Sequence, residues 1–107
     1  MAPSAQYVAD MAIVTTPAPW TELVVLCRKC SRKLDGGFGQ DGEETLRSAI
    51  RDTLREQGRR RSVRIVETKC LGVCPKRGVT MMAGSRPGQL FVVPEGTPAQ
   101  DVLTLLE

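Results

Sequence analysis

The sequence predicts an α/β domain built on a mixed four-stranded sheet, with elements in the order β-α-β-β-β-α. Three observations lead there. Two short runs rich in β-branched residues, at 21–27 and 62–68, flank a segment whose apolar residues recur at helical spacing. A strand–helix–strand unit of this kind joins parallel strands. Two further apolar runs are separated by Gly84-Ser85-Arg86-Pro87-Gly88, a hairpin signal that adds antiparallel strands.

Taken in order, residues 21–27 (TELVVLC) form the first strand, expected to be buried on both faces. Residues 28–40 carry four basic residues and three glycines and are expected to form a loop. Asp41 opens a helix, with Glu44 three residues on completing an N-terminal cap pattern. Leu46, Ala49, Ile50 and Leu54 give that helix its apolar stripe, and Gly58 ends it. The second strand spans residues 62–68, where Val63, Ile65 and Val66 are apolar. The segment KCLGVCPKRG, punctuated by Gly72, Pro75 and Gly78, reads as a loop. Residues 79–83 and 89–93 are the hairpin strands. Thr97 as cap and Pro98 in the first turn begin a last helix, with Val102, Leu103 and Leu106 facing inward.

Length and composition set the limits of function. With 107 residues, 41% of them apolar, the chain supports one compact domain and a modest core. Residues 1–20 are expected to be a flexible tail and residues 21–107 the folded domain. No apolar run approaches the roughly 20 residues that span a bilayer. The first 19 residues hold no Lys or Arg and lack the pattern of a secretory signal. The expected location is cytoplasmic, where thiols stay reduced and favour metals over disulfides. Histidine is absent. That removes the Ser–His and Cys–His nucleophile pairs and every His-containing metal site.

The chemistry therefore rests on four cysteines in two close pairs, Cys27-Arg28-Lys29-Cys30 and Cys70-Leu71-Gly72-Val73-Cys74. Each pair follows one strand of the parallel unit. Parallel strands end at the same sheet edge, so the fold itself brings the pairs together, at the place where open sheets bind ligands. Four thiolates without a water position make a closed site, suited to an iron–sulfur cluster or structural zinc. Gly36, Gly37, Gly39 and Gly72 allow backbone N–H groups to approach the sulfurs. A thioredoxin-type dithiol at Cys27 and Cys30 is a further reading, weakened by the expected loop between Cys30 and the helix. Four unliganded buried thiols are another.

Cys70-Leu71-Gly72-Val73-Cys74-Pro75, followed by Gly78 and an apolar strand, resembles the second ligand loop of thioredoxin-like [2Fe–2S] ferredoxins. The resemblance covers roughly residues 23–106, including the element order. It implies a thioredoxin-like fold and a [2Fe–2S] cluster held by Cys27, Cys30, Cys70 and Cys74. It also implies single-electron transfer without an enzymatic reaction of its own, and a homodimer. Family members separate the first two ligands by four or more residues, whereas two lie between Cys27 and Cys30. A zinc-stabilised interaction module with four cysteine ligands and an iron–sulfur sensor remain the alternatives.

Basic residues crowd the cysteines. Arg28, Lys29, Arg32, Lys33, Lys69, Lys76 and Arg77 face a single acid, Asp35. Such a rim opposes cluster charge and selects a redox partner with an acidic docking face, or is simply a solvated surface. Arg59, Arg60 and Arg61 are expected at a helix C-terminus, where cations are favourable. With four aromatics in the chain there is no stacking platform, and no nucleic-acid or membrane partner is expected. Phe38 is read as core packing, or as a shield over the cluster.

Overall fold

A computed structural model describes residues 13–106. Residues 13–21 carry no strand or helix, and the expected flexibility of residues 1–12 lies outside the described part. The elements are β1 (Glu22–Cys27), α1 (Arg28–Leu34), α2 (Leu46–Glu56), β2 (Val63–Thr68), β3 (Gly78–Ala83), β4 (Leu90–Pro94) and α3 (Ala99–Leu105). The sheet order is β2-β1-β3-β4. β1 pairs in parallel with β2 and antiparallel with β3, and β3 pairs antiparallel with β4. The α/β class, the mixed four-stranded sheet and its element order are as the sequence predicts, with one helix more.

The period-2 pattern sorts the sheet into two unlike faces. Val24, Leu26, Val63, Val79, Met81 and Val93 are buried and pack with Leu46, Ile50 and Leu54 of α2 and Val102 and Leu103 of α3. α2 and α3 therefore cover that face. On the other, Leu23 and Val25 are half-buried while Val66 and Val92 are exposed, so β1 is not buried on both faces as expected. α1 lies against β3 on this second face, where Thr80 is fully buried. Phe38 is 1% exposed and belongs to the core, which is the packing role foreseen for it.

Two starts differ from expectation, for local reasons. α2 begins at Leu46 instead of Asp41, because residues 38–44 close a tight turn. Phe38 and Glu44 exchange backbone hydrogen bonds of 3.0 and 2.9 Å, and Gly42 between them takes a φ of 72°. The cap is Thr45, whose hydroxyl oxygen accepts from the Ser48 N–H at 3.2 Å. Glu44 takes the Ser48 hydroxyl instead of a helix N–H. α3 starts one residue late: Pro98 is its cap and Thr97 donates its hydroxyl to the Pro94 carbonyl.

The C-terminus of α2 is as the sequence predicts. Gly58 adopts a φ of 69°, its N–H donates to the Arg55 carbonyl, and the Arg59 N–H reaches back to Leu54 at 2.8 Å. This is the paired hydrogen-bond closure that a left-handed residue permits. No atom lies within 4 Å of where a Cβ would stand at Gly58, so only backbone strain opposes a side chain. Gly58→Ala is expected to lower stability by about 1–2 kcal/mol, read as a lower urea midpoint with an unchanged slope.

Candidate functional site

The site grows from the end of β1. Cys27 is the last residue of that strand and also the N-cap of α1, and its Sγ accepts the Cys30 N–H at 3.4 Å. A two-residue spacing suits this geometry, because a cap side chain reaches the N–H of the third helical residue. The expected loop over 28–40 is thus a short helix at its start, and Cys30 sits inside that helix. The reason lies in the alternation: Cys30, Ser31 and Leu34 face inward while Arg28, Lys29, Arg32 and Lys33 are exposed. Four cations in a row of seven residues masked that pattern.

The second pair sits on the loop after β2. Cys27 pairs with Thr68 in the parallel register, so Lys69 and Cys70 emerge directly beside Cys27. The Lys29 N–H donates to the Lys69 carbonyl at 3.3 Å, and the Cys27 Sγ lies 3.8 Å from the same oxygen. Cys70 Sγ accepts the Gly72 N–H at 3.3 Å. Gly72 has a φ of 91°, which lets the backbone turn toward the sulfur. Cys27 and Cys30 are buried and Cys70 and Cys74 are exposed; all four are free thiols.

Within each pair the thiols are hydrogen-bonding neighbours. Cys74 bonds to the Cys70 sulfur, and this, followed by repulsion from a Cys70 thiolate, raises the Cys74 thiol above its ordinary value; Lys29 nearby opposes the rise. Burial pushes the Cys30 thiol up most strongly. The Thr80 backbone N–H, the Cys27 thiol and the Thr80 hydroxyl together outweigh that push and hold Cys30 below its ordinary value. Charge on Cys70 is felt at both Cys30 and Cys74, so the two pairs share one electrostatic neighbourhood.

The pairs are not drawn around a single point. Among the described residues, no group of three or more Cys, His, Asp or Glu is gathered to hold one metal ion. Ser31, beside Cys30, is buried and its Oγ has no partner among the described residues, an orphan polar atom of the kind a bound group satisfies. Thr80 was not singled out by the sequence pattern, yet it ties the two cysteine-bearing segments together. It is fully buried, donates its hydroxyl to the Val73 carbonyl at 2.8 Å, and lies 4.0 Å from the Cys30 Sγ. A lone hydroxyl residue within the apolar run VTMMA was the available signal.

Comparisons of the chain with family models, with curated proteins and with solved structures return no match. Function is therefore argued from the site. Thr80→Val keeps the side-chain shape and leaves the Val73 carbonyl only the weak Cys30 thiol at 4.0 Å as a donor. It is expected to cost about 1 kcal/mol and to speed alkylation of Cys70 and Cys74. Thr80→Ser should retain both properties, and urea titration with thiol-modification rates will show whether it does.

Proposed function

We propose that this chain holds a [2Fe–2S] cluster through Cys27, Cys30, Cys70 and Cys74 and carries single electrons between redox proteins. The observation that carries the reading is the convergence of two cysteine pairs at one edge of a parallel strand pair. A cluster with two irons takes two thiolates per iron, which is the division these pairs offer. A single tetrahedral zinc would draw on the same four sulfurs, and the metal content of the purified protein separates the two readings. The loop Cys70-Leu71-Gly72-Val73-Cys74-Pro75 adds the ferredoxin resemblance.

The bound cluster would supply one-electron redox chemistry; the chain's residues do the rest. Cys27 and Cys30 would anchor it from the buried side, with the Cys30 and Gly72 N–H groups supplying hydrogen bonds to the sulfurs of Cys27 and Cys70. Cys70 and Cys74 would hold it from the solvent side. The two-residue spacing of the first pair suits this division, because the helix turn brings Cys30 back beside Cys27. A reducing compartment, such as the cytoplasm, fits four free thiols.

One observation favours a second reading. Cys27 capping a helix, with the Cys30 N–H on its sulfur, is the arrangement of a redox-active dithiol. Access weighs against it. Disulfide exchange needs an exposed attacking thiol, whereas Cys27 is 0% and Cys30 3% exposed.

Protein purified without oxygen from iron-replete cells is expected to be red-brown, with two irons and two acid-labile sulfides per chain. Stoichiometric zinc in colourless protein would overturn the reading. Each of Cys27→Ser, Cys30→Ser, Cys70→Ser and Cys74→Ser should abolish or badly weaken the visible absorbance. An unchanged spectrum in Cys30→Ser would place the fourth ligand elsewhere.

A further inference from the structure

We infer that the exposed face of α1, continued by Lys69 and Lys76 around the exposed Cys70–Cys74 pair, is a docking surface for an acidic protein surface. The inference rests on the carrier reading of the same cysteines, since it names the face through which a partner would approach them. Four of the seven residues of α1 are cations. Arg28 stacks over Arg32 and Lys29 over Lys33 at i,i+4 spacing, and all four are exposed. The helix thus turns a basic stretch of sequence into a two-row stripe on one side, with Cys30 and Ser31 buried on the other.

This stripe is held against its own repulsion. Like charges at i,i+4 destabilise a helix. Among the described residues, none of Arg28, Lys29, Arg32, Lys33, Lys69 or Lys76 has an ion-pair partner. Arg77, in contrast, is exposed but neutralised by its ion pair with Glu95. Four of the acids, Asp41, Glu44, Asp52 and Glu56, line a separate groove of about 640 Å³ with no cysteine and no cation, and Asp35, the C-cap of α1, is the acid next to the stripe. The net charge of +3 therefore understates how cationic the cysteine edge is. A counter-surface of opposite sign would relieve that repulsion and steer association.

The chemistry of the patch favours protein over nucleic acid. Val73, 40% exposed, lies in the loop between Cys70 and Cys74, and Lys29 lowers the cost of charge on Cys74. An apolar centre with a charged rim is the anatomy of a protein interface. Among the described residues no aromatic is available there for stacking bases: Phe38 is buried, Phe91 is half-buried against the core, and Trp20 lies under the Arg64 guanidinium. A helix about 10 Å long and one loop make a small patch, suited to the brief encounters of electron-transfer partners.

The test uses the full chain with its metal, a fluorescent glutamate-rich peptide as probe, and a DNA duplex as the competing polyanion. Arg32→Glu with Lys33→Glu is compared with Arg60→Glu with Arg61→Glu, which removes the same charge after the far end of α2. The α1 pair should weaken peptide binding roughly tenfold or more at low salt, and the control pair less than roughly twofold. Wild-type binding should fall as salt rises. Arg32→Gln with Lys33→Gln repeats the test should the reversed charges disturb folding. Equal losses in both pairs, or no loss in either, overturn the proposal. So does tighter binding of the duplex than of the peptide with the same α1 dependence, which assigns the surface to nucleic acid. Iron is measured in every sample. Iron-free wild-type protein that still binds the peptide through α1 would sink the carrier reading and leave the docking surface standing.

Discussion

The parallel pairing of β1 with β2 is the constraint on which the rest depends. Their register runs without a break from Glu22 opposite Val63 to Cys27 opposite Thr68, so both strands end flush. Whatever follows them in sequence must then share one edge of the sheet. Hydrogen bonding alone does not choose this register; burial does. A slip of one residue would turn Val24 and Leu26 away from α2 and present the opposite face to the core. The packing of Leu46, Ile50 and Leu54 against the sheet thus holds the cysteine loops side by side, although none of these residues touches the chemistry directly.

On that edge the two pairs are placed unequally. The first pair is folded into the domain: Cys27 closes a strand and starts a helix, and Cys30 is pressed against Thr80. The second pair stays on the surface, held by the Gly72 N–H on the Cys70 sulfur, by the grip of Thr80 on the Val73 carbonyl and by the Cys30 thiol beside that carbonyl. On the proposed reading, this gives a cluster one insulated side and one accessible side. Burial around Cys27 and Cys30 excludes water, and the exposed loop offers the short path that electron exchange needs. The same asymmetry argues against dithiol chemistry, whose attacking sulfur must be reachable.

Local patterns were enough wherever a segment's structure depended on its own residues. The β-branched apolar run in ELVVLC, the stripe Leu46, Ala49, Ile50 and Leu54, the glycine stop at Gly58 and the turn before β4 each carry their reason within a few positions, whereas the sidedness of β1 does not. The starts of α2 and α3 were less legible. Asp41 and Glu44 satisfy a cap pattern, but Glu44 is held in a backbone pair with Phe38, and the turn between them excludes a helix. Such competition between two local hydrogen-bond schemes is decided by a contact with the core, where Phe38 is buried, and a linear pattern does not contain it.

By itself the sequence determined the α/β class, the parallel unit, and the convergence of Cys27 and Cys30 with Cys70 and Cys74, because each follows from chain order and periodicity. It also determined the donor chemistry, since a chain without histidine offers only sulfur and oxygen. Tertiary structure alone decided that residues 28–34 are a helix. A seven-residue segment with four like charges has no helical stability of its own. It forms where the Cys27 cap, the burial of Cys30 and Ser31, and the contact with β3 compensate for repulsion among its cations. Tertiary structure likewise decided which cysteine pair is buried and which is exposed, because that depends on which loop α1 and β3 cover.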